Sequence, residues 1–204
     1  MLAINISWLF LPVMALPAAF WLWVLCFFRD PNRPTPTGDG LFISPADGSV
    51  ADITQIGPDS PLGCAGVEIG IFMNVFNVHV NRSPAPAVVR RIVHQEGVFL
   101  DARDPHASER NESTTIHMTY TRNGQDYPLV VRQVAGMIAR RIITDLAVGQ
   151  QLAAGQRVGM IKFGSRVELL VPTPLAGQVR VELGQKVRAG LTVLLTVEAD
   201  RDDA

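Results

Sequence analysis

The stretch VGQQLAAG at 148–155 returns thirty-five residues later as LGQKVRAG at 183–190, and each copy runs into a Val-rich apolar segment. Glycines in these turns supply positive φ at no steric cost, and the flanking Val and Leu pack a sheet, so each copy reads as turns leading into a strand. A second echo pairs PADGSV (45–50) with PLAGQV (174–179), again turn then strand. Working outward, short apolar runs rich in Val and Ile at 67–73, 87–93, 114–121 and 127–134 predict further strands. Asn123-Gly124 between the last two marks a tight hairpin. The apolar doublets of 135–146 fit neither the helical nor the strand period, so that segment reads as a short helix or a strand pair.

The expected fold is therefore mainly β with some α: a compact barrel or sandwich of duplicated hairpins resembling the biotinyl/lipoyl-type hybrid barrels. A carrier of biotin or lipoate presents a lysine at a hairpin tip within a fixed context. Lys162 and Lys186 are the only lysines, and neither lies in a Met-Lys-Met or Asp-Lys-Ala setting.

Residues 1–28 contain no charge, and 8–28 is an unbroken apolar run, long enough to cross a bilayer as a helix. Arg29 and Arg33 follow it, which by the positive-inside rule puts the remainder of the chain on the cytoplasmic side of the cell's inner membrane. A cleaved signal peptide fits less well, because no basic residue precedes the run. Pro12 and Pro17 leave a kink or a shallow hairpin open as alternatives to a single span. Residues 29–40, with three prolines among polar fillers, read as a linker, and 41–204 as one catalytic domain. A net charge of −1 argues against a nucleic-acid partner. Cys26 and Cys64 are placed so that a structural disulfide is not expected. Four histidines without ligand spacing predict no metal.

Three polar residues interrupt otherwise structural patterns: Asp47 in SPADG, His79 in NVHVNRSP and Ser165 in KFGSR. An aspartate, a histidine and a serine are the parts of a hydroxyl-activating relay, in which the imidazole takes the proton and the carboxylate fixes its tautomer. No Gly-x-Ser-x-Gly elbow surrounds Ser165, so an ordinary α/β hydrolase is not expected.

These segments, taken with FFRDPNR (27–33) and QVAGMIARRI (133–142), resemble the short, prokaryotic form of the phosphatidylserine decarboxylase proenzyme family. The likeness runs in order from the N-terminal run to Pro172. It implies removal of the carboxyl group of phosphatidylserine to give phosphatidylethanolamine in phospholipid biosynthesis. It also implies self-cleavage between Gly164 and Ser165, the serine hydroxyl attacking the preceding carbonyl. The products are a β chain, 1–164, and an α chain, 165–204, the latter capped by a pyruvoyl group derived from Ser165. By the same resemblance His79 is the base, with Asp47 its orienting partner and His79 also the acid that returns a proton to the product. Arg82, Arg140 and Arg141 are candidates to meet phosphate or carboxylate. The partners implied are phosphatidylserine in the membrane and the two chains for each other, with the oligomeric state left open. The sequence departs from the family in two places: Phe76 stands where longer bacterial relatives carry a second histidine, and Ser113 follows Asn111-Glu112 where arginine is usual.

Two other readings stay open at this level. One is an uncut hydrolase using Asp47, His79 and Ser165 as a triad. The other is a membrane-anchored, non-catalytic barrel-hairpin adaptor.

Overall fold

The computed structural model describes residues 3–104, 106–137, 141–162 and 164–197, with side chains from Val13 onward. A long helix α1 (Ala3–Phe27) precedes the strands β1 (Leu41–Ile43), β2 (Gly48–Ile56), β3 (Gly66–Met73), β4 (Val80–Arg82) and β5 (Ala87–Gln95). One helical turn, α2 (Ala107–Arg110), leads to β6 (Ser113–Arg122), β7 (Gln125–Val134), β8 (Arg141–Thr144), β9 (Gln151–Leu152) and β10 (Arg157–Lys162). The chain ends through β11 (Ser165–Pro172), β12 (Gln178–Val179), β13 (Lys186–Val187) and β14 (Val193–Thr196). All strand pairs are antiparallel. An eight-stranded sheet runs β13-β2-β3-β11-β7-β6-β5-β9, and two three-stranded sheets run β1-β14-β12 and β4-β10-β8. The fold is thus mainly β with few helices, a curled half-barrel of sheet.

The register shows why. Val50 pairs with Ile71 and Val89 with Met118, and each of β2 and β5 has a bulge just after that point. Two residues on, Met73 pairs with Ser165 and Tyr120 with Tyr127. Four further on, Leu169 and Val131 pair with each other. An approximate two-fold axis therefore passes through the Leu169–Val131 pair, relating β1–β3 with β11–β14 to β4–β10. The matching hydrogen bonds are reciprocal: Ile43 N–H donates to Pro84 O and Arg82 N–H to Pro45 O, both at 2.9 Å.

The quoted repeat is one element of this symmetry, since β13 pairs with the start of β2 and β9 with the start of β5. Its four glycines all have positive φ, from 73° to 86°. The second echo is different: SPADGSV (44–50) is equivalent not to 174–179 but to SPAPAVV (83–89). Ser44 Oγ donates to Ala46 O at 2.6 Å and Ser83 Oγ to Ala85 O at 2.7 Å, one motif made twice.

The β6–β7 turn has Asn123 at φ 51° and Gly124 at φ 74°, the paired left-handed conformation that lets a two-residue loop follow the strand twist. The core lies inside the curl, around Ile69, Ile71, Ile116, Val131, Val167 and Leu169. Strand β11 is buried at every position because it has a neighbour on each edge and is covered on both faces. In 135–146 the described part contains strand β8, and 138–140 lie outside the described residues.

Helix α1 continues unbroken past Pro12 and Pro17. Among the described residues no helix is long and apolar enough to cross a membrane. The helix is nevertheless apolar and turned outward, with Val13, Leu16, Phe20 and Leu25 exposed, while Phe27 at its foot is buried. Cys26 and Cys64 are both free.

Candidate active site

Gly164 and Ser165 sit where the chain enters β11. Gly164 has φ +57°, and Ser165 is fully buried opposite Met73. Space around Gly164 is open on the Cα side, but its carbonyl oxygen lies against Gly136, where an added Cβ would come within 2.2 Å. Position 136 must therefore be glycine for this carbonyl to stay where it is. The Ser165 hydroxyl donates to Met73 Sδ at 3.5 Å, a weak bond to a soft acceptor that leaves the oxygen nucleophile uncommitted. Met73 Sδ also receives Asn81 Nδ2 at 3.8 Å, and Asn81 Oδ1 accepts from Gln133 Nε2 at 2.8 Å. A cavity of about 220 Å³ adjoins Gly164, lined chiefly by Phe72, Val75, Ala102 and Met137.

His79 immediately precedes β4 and is also fully buried. Its carbonyl accepts from Ile161 N–H at 3.3 Å, which ties it to β10 just upstream of Ser165. Nδ1 lies 2.9 Å from Asn77 O, and a carbonyl can only accept, so Nδ1 carries the proton. Nε2 is left as a buried lone pair with no partner. Burial lowers the His79 pKa to about 4, with Arg29 adding to the effect and the Asn77 carbonyl and Asp47 opposing it. The Phe27 ring stacks on the imidazole at 4.2 Å between centroids, so the foot of α1 supplies part of that burial. At neutral pH this is an uncharged imidazole in the tautomer a general base requires.

Asp47 does not hold His79. Its two oxygens accept from Arg33 at 2.5 and 2.9 Å, and Oδ1 also accepts from Ala189 N–H at 2.8 Å. No hydrogen bond joins Asp47 to His79 or His79 to Ser165, so the relay expected of a hydrolytic triad is not assembled. The reason is local: the turn in SPADG aims the carboxylate at the linker, and Arg33 offers a planar fork that fits it bidentately.

Arg82 is likewise committed to the linker, through Gly155 O at 2.9 Å, Pro31 O at 3.1 Å and an ion pair with Asp30. Arg140 lies outside the described residues, and Arg141 opens β8 opposite Lys162. The guanidinium that does line the cavity at Gly164 is Arg103, over the Phe72 ring and bidentate with Asp101. Hydrogen bonding from Arg103 holds the Asp101 carboxyl at about 2. Sequence reading passed over this pair, although an acid and a base two residues apart in DARD (101–104) is a visible turn signal. It also gave Asn111 no role. The Asn111 side chain bonds Leu100 N–H, Leu100 O and Ala135 O at 2.8 to 2.9 Å, pinning the loop before α2 to the end of β7 beside Gly136.

Among the described residues no cluster of His, Cys, Asp or Glu is arranged to hold a metal. The residues at 164–165 suit a small group made from the chain itself, because the serine is buried and the glycine before it borders a largely apolar cavity.

A profile of the family described as phosphatidylserine decarboxylase matches residues 20–195. A phosphatidylserine decarboxylase proenzyme from Paramagnetospirillum magneticum (strain ATCC 700264 / AMB-1) is 43% identical over 180 residues, covering 87% of this chain and 73% of the relative. The matched span takes in the foot of α1, the buried histidine, the Gly-Ser step and both symmetric halves of the barrel. This chain belongs to the phosphatidylserine decarboxylase family.

Proposed function

We infer that the protein is a decarboxylase made as a proenzyme, which converts phosphatidylserine to phosphatidylethanolamine and carbon dioxide after cutting itself between Gly164 and Ser165. The observation that carries this reading is the buried, unpartnered Nε2 of a neutral His79, whose carbonyl is bonded by Ile161 four residues before a buried serine that follows a left-handed glycine. For the cut, His79 Nε2 accepts the Ser165 hydroxyl proton as Oγ attacks the Gly164 carbonyl carbon. Gly136 leaves room for that carbonyl to become tetrahedral. The peptide C–N bond breaks as the acyl group passes to Oγ, elimination then breaks the Cβ–Oγ bond and frees the Gly164 carboxylate as the end of β, 1–164, and water displaces ammonia from the dehydroalanine left at the start of α, 165–204. A pyruvoyl group at position 165 supplies, once formed, an electron-accepting carbonyl for the pair left by carbon dioxide. Phe72, Val75, Ala102 and Met137 give that place a largely apolar wall, and His79 returns a proton to the product carbon.

Residues 1–28 act as the membrane anchor, with 29–40 strapped to the barrel through Asp30 and Arg33, and the barrel lies on the cytoplasmic side of the inner membrane. The exposed apolar face of α1 followed by Arg29 and Arg33 supports this placement.

The intact mass under denaturing conditions tests the reading. Scaling 22.2 kDa by 40/204 puts the α chain at roughly 4.4 kDa in the wild type, with an N-terminus blocked to sequencing and reducible by borohydride. Ser165→Ala is expected to remain one chain and to form no phosphatidylethanolamine. An uncut wild type that still forms product would overturn it.

A further inference from the structure

Where α1 leaves the barrel, the turn 74–77 stands beside it. Asn77 Oδ1 accepts from Asn74 N–H at 2.8 Å, and Asn74 Oδ1 accepts from Phe76 N–H at 2.9 Å, so the turn is fixed by its own side chains. It nevertheless presents Phe76 to solvent, 72% exposed. Arg29 Nη2, at the foot of α1, donates to Phe76 O at 3.3 Å, which sets turn and helix side by side. Asn74 and Val75 of the turn line the cavity at Gly164, as does Met137, itself 61% exposed. Two cations border this area. Arg29 bonds only carbonyls, and Lys162 lies over the Phe28 ring at 5.6 Å; neither has a carboxylate partner among the described residues.

A lone exposed aromatic is ordinary, whereas one that belongs to a larger exposed apolar patch marks a contact surface. Here it adjoins an exposed apolar helix and is flanked by cations, the composition of a surface that sits at an anionic bilayer's headgroup level. We propose that Phe76 and Met137 form an apolar lip that enters the surface of an anionic lipid bilayer beside α1, so that the Gly164 cavity opens among the lipid headgroups. This deepens the reading of the site given above and rests on it for the identity of the lipid consumed.

The test uses the full chain reconstituted in vesicles of phosphatidylcholine and phosphatidylglycerol, with Cys26 and Cys64 changed to serine. Single cysteines at Phe76→Cys, Met137→Cys and Gln125→Cys carry an environment-sensitive fluorophore. Gln125 begins the ten-residue strand whose other end lies next to Gly136, about 30 Å away. Nitroxide-labelled lipid is expected to quench the labels at 76 and 137 and to spare the one at 125. Equal quenching at all three positions, or none at 76 and 137, overturns the lip, whatever else covers it. In parallel, Phe76→Ser is expected to turn over bilayer phosphatidylserine about tenfold more slowly, with the rate on short-chain, monomerically dispersed phosphatidylserine retained. Equal loss on both substrates overturns the proposal. If the labels are quenched but even the wild type forms no phosphatidylethanolamine, the lip stands and the assigned reaction fails.

Discussion

An imidazole with one nitrogen on a carbonyl and the other on nothing among the described residues is an unusual thing to bury, and at His79 burial governs its charge. Because folding lowers its pKa from 6.5 to about 4, the native state holds this side chain neutral; the stability tied to that neutrality is complete above pH 6.5 and is lost as pH falls toward 4. Self-cleavage by freshly made precursor is therefore expected to stay flat from pH 8 down to about 5, where an exposed histidine base would already have lost most of its activity. Phe27→Ala lets water reach the ring, and the midpoint of the cleavage profile is expected to move up toward 6.5. Asp47→Asn should move it down, since Asp47 opposes the shift, while lowering the melting temperature by loosening the Arg33 strap. A cleavage profile centred at 6.5 in the wild type would show that His79 is not the base. The sequence showed which residue types break pattern, and so singled out His79 and Ser165. It did not show that Asn77 O fixes the tautomer, because a backbone carbonyl leaves no mark in the residue alphabet. Nor did it show that Asp47 faces the linker, since an Asp-Gly turn looks the same whichever way it points.

Strand β11 begins with Ser165 and carries a buried charge network from its second residue. Arg166 is bidentate with Asp52 on β2, bonds Glu168 at 2.7 Å and contacts Glu68 on β3, while Glu168 also accepts from Ser108 and faces Arg132 on β7. Burial raises the Glu68 pKa to about 7, and the charge of Glu168 adds to it against the pull of Arg166. The folded state thus holds a proton that the unfolded state releases near 4.5. Stability from this group is full below pH 4.5 and falls as pH rises to about 7. Denaturant titrations between pH 4.5 and 7.5 should show this decline in the uncut Ser165→Ala precursor and a flatter curve once Glu68→Gln is added. An unchanged slope would remove Glu68 from the account. Strands such as β3 and β7 were legible because their apolar periodicity is long and bounded by turn residues. The ion network was not, since its members come from four strands and only the register brings them abreast.

For the whole molecule, a cut at 164–165 would leave β11 seated between β3 and β7 and paired with both along its length. The α and β chains are expected to migrate together in native gel filtration and to separate only in denaturant; early release of the small chain would contradict the register. The duplicated hairpins were readable from two glycine-spaced copies, but the symmetry of 44–50 with 83–89 was hidden, because Asp47 and Gly48 answer to Pro86 and Ala87 and little beyond Ser-Pro-Ala survives. That symmetry also bears on how two distant residues come to share a site. Val80 and Met160 are ladder partners, so the second half of the barrel begins and finishes at one spot, like an insert spliced into the first half. His79 is the last residue before the entrance and Ser165 stands just beyond the exit. The eighty-six positions between them thus leave and re-enter the first half beside one ladder pair, and a change in the length of the insert's outer loops would leave that doorway unmoved.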